Sequence, residues 1–167
     1  SRFYPEICQT HTWLDRVQTI KYVKEEGMEA CCGGIMGMGE TDRDRVELAF
    51  VLRELEVESI PINFLDPRPG TPLADQERLP PEDCLRALCL FRFVNPSREI
   101  RVAGGREECL RSLQPLALYP ANSMFTEGYL TTSGQGQSAD LQMIKDAGFY
   151  VREVHQDGVG EEMTAGV

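Results

Sequence analysis

The chain has 167 residues, 41% hydrophobic and 26% charged, enough for one globular domain with its own core. A formal net charge of -10 excludes a general nucleic-acid binder, which needs a basic surface. No run of 18 apolar residues and no basic-then-apolar leader occurs, so the expectation is no membrane span and a cytoplasmic location.

In chain order, Ser1 to Thr12 reads as an exposed lead-in that starts abruptly, as if sequence preceded it. Asp15 to Gly27 predicts a helix, with Val17, Ile20 and Val23 at helical spacing and Gly27 as its stop. Met28 to Ile35 predicts a strand that dissolves into the glycine loop Gly33-Gly34-Ile35-Met36-Gly37-Met38-Gly39-Glu40. A second helix follows from Asp42 to Leu55, with Thr41 as N-cap and Asp44 completing a capping box. Ser59 to Phe64 predicts a second strand, although Pro61 removes a ladder donor and is unwelcome in a central strand. The proline-rich stretch Leu65 to Pro80 is a long loop, of the kind that usually has a function. Glu82 to Val94 is the third helix and Glu99 to Ala103 the third strand, closed by Gly104-Gly105. Glu107 to Leu118 reads as a helix interrupted by Pro115, Ser123 to Phe125 as a fourth strand, and Ala139 to Ala147 as the last helix. Residues 1–150 form one unit, and 151–167 a loose acidic tail. Strict strand–helix alternation means an α/β fold, four parallel strands with crossover helices.

A strand ending in a glycine-rich loop before a helix is where such folds place ligands, because glycine lets a ligand approach the backbone. Strand parity then sorts the side chains. Ala30, Cys32, Ile60, Ile62, Ile100 and Val102 fit under the helices, whereas Cys31, Asn63 and Arg101 share the opposite face, with Glu29 and Ser59 behind them. A thiol, an amide and a guanidinium there contrast with the Val, Ile and Leu that fill an ordinary barrel interior. Arg101 must be paired, solvated or bound to something, since an uncompensated buried ion costs several kcal/mol. Pairing with Glu29 or a loop carboxylate is one solution and a ligand site is the other. The glycine loop matches neither the phosphate loop nor G-x-G-x-x-G. Six cysteines without any C-x-x-C pair point to reduced thiols rather than a disulfide framework or a closed zinc site, and most are ordinary core residues.

Phe3-Tyr4-Pro5-Glu6-Ile7, Cys31-Cys32-Gly33-Gly34-Ile35-Met36-Gly37-Met38-Gly39-Glu40 and Ile60-Pro61-Ile62-Asn63-Phe64 together resemble the biotin synthase family of radical S-adenosylmethionine enzymes. Pro69 to Leu73, Ile100 to Glu107, Ala121-Asn122-Ser123 and Gly128 to Thr132 extend the resemblance, which runs from Ser1 to about Val151. It implies the carboxyl-terminal half of a (β/α)8 barrel. It also implies a 4Fe–4S cluster that splits S-adenosylmethionine to a 5′-deoxyadenosyl radical, and a 2Fe–2S cluster that gives sulfur to dethiobiotin. On that resemblance Cys31 and Arg101 are metal ligands and catalytic residues at the 2Fe–2S cluster. Asn63 lines the substrate pocket, and Gly33, Gly34, Ile35, Gly37 and Glu40 belong to the loop beside S-adenosylmethionine. A flavodoxin- or ferredoxin-type reductant and a homodimer of the full-length enzyme are implied too.

The chain departs from the family pattern by lacking C-x-x-x-C-x-x-C, so the ligands of the 4Fe–4S cluster are not in it, and Cys8, Cys32, Cys84, Cys89 and Cys109 do not replace them by position. The expectation is therefore that this chain alone is inactive. The alternatives are a non-catalytic half-barrel assembly module and a different radical enzyme such as a hydrogenase maturase.

Overall fold

The computed structural model of the chain describes residues 2–126, 128–129 and 132–152. The tail read as loose lies almost wholly outside these residues, as do Leu130 and Thr131 of the glycine–tyrosine motif.

A short helix α1 (Tyr4–Ile7) leads into α2 (Trp13–Glu25). Thr12 and Asp15 form a capping box there: the Thr12 hydroxyl accepts from the Asp15 amide at 3.2 Å and the Asp15 carboxylate accepts from the Thr12 amide at 2.8 Å. The helix therefore starts earlier than its apolar spacing suggests, because Thr12 satisfies donors that would otherwise be orphaned. β1 (Gly34–Met36), α3 (Asp42–Glu54), β2 (Ser59–Phe64), α4 (Pro81–Val94) and β3 (Glu99–Val102) follow. The predicted Thr41–Asp44 box is present at the start of α3. Beyond β3 lie α5 (Arg106–Leu110), a 3-10 segment Arg111–Leu118, β4 (Ser123–Met124), a hairpin of β5 (Gly128–Tyr129) and β6 (Thr132–Ser133), and α6 (Gln137–Asp146). The single helix expected from Glu107 to Leu118 is thus two pieces. Pro115 lies in the 3-10 part, where the ladder of an α-helix no longer has to accommodate it.

β1 to β4 form a parallel sheet in sequence order. The strand expected from Met28 to Ile35 is shorter at its start: Cys31 makes an isolated bridge to Ser59 and the regular ladder begins at Gly34. Pro61 accounts for the gap. The Ser59 amide donates to the Ala30 carbonyl and the Leu65 amide to the Met36 carbonyl, so the two-residue period brings Pro61 opposite Cys32, where it has no N–H to give.

The helices cover one face of this sheet. Ile60, Ile62 and Ile100 are fully buried and Val102 is 2% exposed, packed with Leu52, Leu88 and Phe91 of α3 and α4. Two arginines tie the layers. Arg92 of α4 donates to the carbonyls of Pro120 (2.7 Å), Pro96 (3.0 Å) and Arg98 (2.8 Å), and to the Asn122 side chain (2.8 Å). Arg106, 2% exposed, meets the fully buried Asp140 of α6 through one nitrogen at 2.7 and 2.6 Å.

Candidate functional site

The uncovered face of the sheet carries its polar residues in rows. Cys31 bridges Ser59, which pairs with Glu99; Pro61 pairs with Arg101, which pairs with Ser123; Ile35 pairs with Asn63. Cys31 and Arg101 therefore share this face but not a row. They are two strands apart and one pleat repeat along, about 10 Å across and about 7 Å along at the backbone. Cys31 is exposed, while Asn63 and Arg101 are half-buried.

Arg101 is held from three sides. Its Nε donates to the Ser123 hydroxyl at 2.9 Å, its Nη2 donates to the Glu99 carboxylate, and its guanidinium lies 5.1 Å from the centre of the Phe125 ring. Glu99 also accepts from the Ser59 hydroxyl at 2.8 Å. The carboxylate that the guanidinium requires is thus Glu99 rather than Glu29. It was legible in the sequence: two residues before Arg101 on one strand is the same face. Arg101 Nη1 makes no hydrogen bond among the described residues.

Asn63 spends its amide on the backbone. Its oxygen accepts from the Gly104 amide at 2.9 Å and its nitrogen donates to the Gly34 carbonyl at 3.4 Å, joining the first residue of β1 and the carboxyl end of β2 to the turn after β3. Glu40 is likewise turned inward. Its carboxylate accepts from the Gly37 and Met38 amides, both at 2.8 Å, and from Arg45, also at 2.8 Å, with only 6% of the side chain exposed. Its contribution is the shape of the loop. Arg45, which neutralises it from α3, carried no signal in the spacing.

Two of the glycines answer to packing rather than to ligand approach. A Cβ on Gly33 would lie 1.9 Å from the Pro61 carbonyl oxygen, and one on Gly34 would lie 2.9 Å from the Leu48 side chain. Ile35 is 42% exposed beside an apolar cavity of about 160 Å³ that is lined also by Tyr4, Trp13, Met38, Leu48 and Val51. A second, polar cleft of about 600 Å³ lies between Gln76, Glu77, Arg78, Glu107, Glu108 and Arg111, and shares no residue with the rows above. Cys32 packs toward the core, and its burial pushes the thiol up. At the amino end, hydrogen bonds from Thr10 and Tyr4 bring the Cys8 thiol down to about 7.

The model of the Biotin and Thiamin Synthesis associated domain matches residues 61–150, from within β2 to just past α6. The chain belongs to this family. Biotin synthase of Salinibacter ruber is 58% identical over 146 residues, which cover 87% of this chain and 41% of that protein. Biotin synthase of Rhodopirellula baltica is 57% identical over 148 residues, 89% of this chain and 41% of the relative. That of Streptomyces avermitilis is 50% identical over 173 residues, 98% of this chain and 45% of the relative. The chain thus spans less than half the length of these curated relatives, and it corresponds to their carboxyl-terminal part. Four parallel strands with their helices account for half of a (β/α)8 barrel. Among the described residues no helix is long and apolar enough to cross a membrane.

Proposed function

We propose that this chain is the part of a biotin synthase that supplies one wall of the reaction chamber: insertion of sulfur into dethiobiotin, with S-adenosylmethionine as co-substrate. The observation that carries the reading is the uncovered face, which presents Cys31, Arg101 and Asn63 on one side of the sheet in a chain at least half identical to biotin synthases.

The donor set suits a 2Fe–2S cluster in part. Thiolates are the usual ligands of such clusters, and Cys31 offers an exposed sulfur with no structural partner of its own among the described residues. Arg101 would be the nitrogen ligand, with Nε and Nη2 fixed by Ser123 and Glu99 and Nη1 left to face the metal. Among the described residues no group of three or more His, Cys, Asp or Glu is arranged for a metal, so other thiolates would have to complete the set. When bound, the two clusters supply the sulfur atom and the electron that cleaves S-adenosylmethionine.

The chain's own residues orient and shield. Glu40 and Arg45 fix the 37–40 turn, and Ile35 offers an apolar side chain beside the cavity for the nucleoside to rest on. Asn63 keeps the strand ends together, so the pocket wall does not splay when substrate enters. The test is Cys31→Ala in the full-length enzyme, reconstituted anaerobically with iron and sulfide. The expected result is loss of the 2Fe–2S visible absorption and of biotin formation, with the 4Fe–4S signal retained. An unaltered 2Fe–2S spectrum would remove Cys31 from the site.

A further inference from the structure

A thiol outside the sheet stands in a cluster that neither the core nor the polar rows employ. Cys8 directly follows α1 and is half-buried. Its Sγ lies 3.6 Å from Thr10 Oγ1, 3.6 Å from His11 Nδ1 and 3.7 Å from His11 Nε2, so the sulfur sits beside the imidazole rather than at one nitrogen. Those nitrogens have nearer partners: Nδ1 is 2.9 Å from the Thr10 hydroxyl and Nε2 is 2.8 Å from the Tyr4 hydroxyl. The ring is held at both ends, with the sulfur against it.

Tyr4 joins this cluster to the apolar cavity. Its ring stands edge-on to Trp13 at 5.5 Å and to His11 at 6.0 Å, and Tyr4 and Trp13 both line the space of about 160 Å³ beside Ile35. A cysteine reacts as its thiolate, so it needs access and groups that hold the negative charge. Hydrogen bonds from Thr10 and then Tyr4 do so here, in keeping with a thiol brought down to about 7. The charged residues facing the cluster come from α2 and oppose one another: Arg16 and Asp15 act on Tyr4, and Asp15 and His11 on each other.

We propose that Cys8 is a thiolation site, whose sulfur exchanges with a low-molecular-weight disulfide and carries the adduct at the rim of the apolar cavity. The thiol first gives its proton to solvent, and the thiolate attacks one sulfur of the reagent. A Cys8–sulfur bond forms as the reagent's S–S bond breaks. The departing sulfur takes the electron pair and then a proton from solvent. Cys8 is oxidised and the departing half of the reagent is reduced, so no further reactant is consumed. Among the described residues no other cysteine is a hydrogen-bonding partner of Cys8, so the exchange stops at the mixed disulfide.

The test takes the whole chain, reduced and then incubated with oxidised glutathione from pH 6 to pH 9, with acid quench, alkylation in denaturant and peptide mass spectrometry. At pH 6 Cys8 should form the adduct about fivefold faster in the folded chain than in the urea-unfolded chain. A thiol at about 7 is there about thirtyfold more ionised than one near 8.5, and the weaker nucleophilicity of the more acidic thiolate offsets part of that gain. Dithiothreitol should remove the adduct. Thr10→Ala and Tyr4→Phe should each move the midpoint of the rate profile upward, and Thr10→Ser, which keeps the hydroxyl, should leave it in place. Trp13 is the single tryptophan of the chain, so its fluorescence should change as the adduct forms in the parent and stay constant in Cys8→Ser. Equal rates for Cys8 in the folded and unfolded chain would overturn the site, and an adduct that leaves Trp13 emission unchanged would overturn its place at the cavity. Both of those readings are made on the parent chain, so a variant that folds poorly does not blunt the test.

Discussion

Alternate residues along β2 and β3 belong to two different environments. Ile60, Ile62 and Ile100 are fully buried under the helices, while Ser59, Pro61, Asn63, Glu99 and Arg101 lie half-buried on the other face. The covered face removes apolar surface from water, which is what drives the chain to fold. The uncovered face holds polar groups that add little to that drive and must each find a partner, as Arg101 does in Glu99 and Ser123. Apolar packing and polar pairing are thus divided by strand parity, and a single residue's shift in register would exchange them.

That division can be broken most forcefully on the helical side. Asp140→Ala takes from the buried Arg106 its fully buried carboxylate and leaves Glu107, at 3.0 Å, as the other, so a loss of about 3 kcal/mol, the low end for breaking a buried pair, is expected in urea unfolding. Ile100→Ala opens a cavity under α4 and should cost about 3 kcal/mol, within the range for large-to-small core changes. Thr41→Ala, at the start of α3, should cost about 1 kcal/mol through the lost cap. Arg101→Met should cost less than about 1 kcal/mol, because the ion pair it breaks is partly solvated. In the full-length enzyme the same substitution is expected to alter the visible spectrum of the 2Fe–2S cluster. A large stability loss with an unchanged spectrum would reverse the assignment of the two faces.

Acid tests the caps without a mutation. Hydrogen bonds from Thr41 hold the Asp44 carboxyl below its ordinary value, and those from Thr12 do the same for Asp15. A lowered folded-state pKa gives stability that is present above the unfolded value, near 3.9, and is lost as pH falls through the folded value. Unfolding midpoints should therefore drop as pH falls below about 4, and Thr41→Ala should differ less from the parent there than at neutral pH.

The sequence carried the alternation of strands and helices, the span of β2, the Thr41–Asp44 box and the parity of Cys31, Asn63 and Arg101. Each rests on neighbours a few residues apart, where periodicity and capping act. It also carried enough matching motif to indicate the biotin synthase likeness. Less legible were the truncation of β1, the partners of Glu40 and Asn63, and the reason for Gly33 and Gly34. These depend on what a second strand or helix brings alongside: the missing Pro61 donor, Arg45 from α3, the Gly104 amide, the Leu48 side chain.

Which side chains share a face was therefore decided locally, because a strand's two-residue repeat is a property of the backbone itself. What each of them touches was decided only by tertiary structure, because Arg106 and Asp140, or Arg92 and Asn122, become neighbours only after the helices have closed over the sheet.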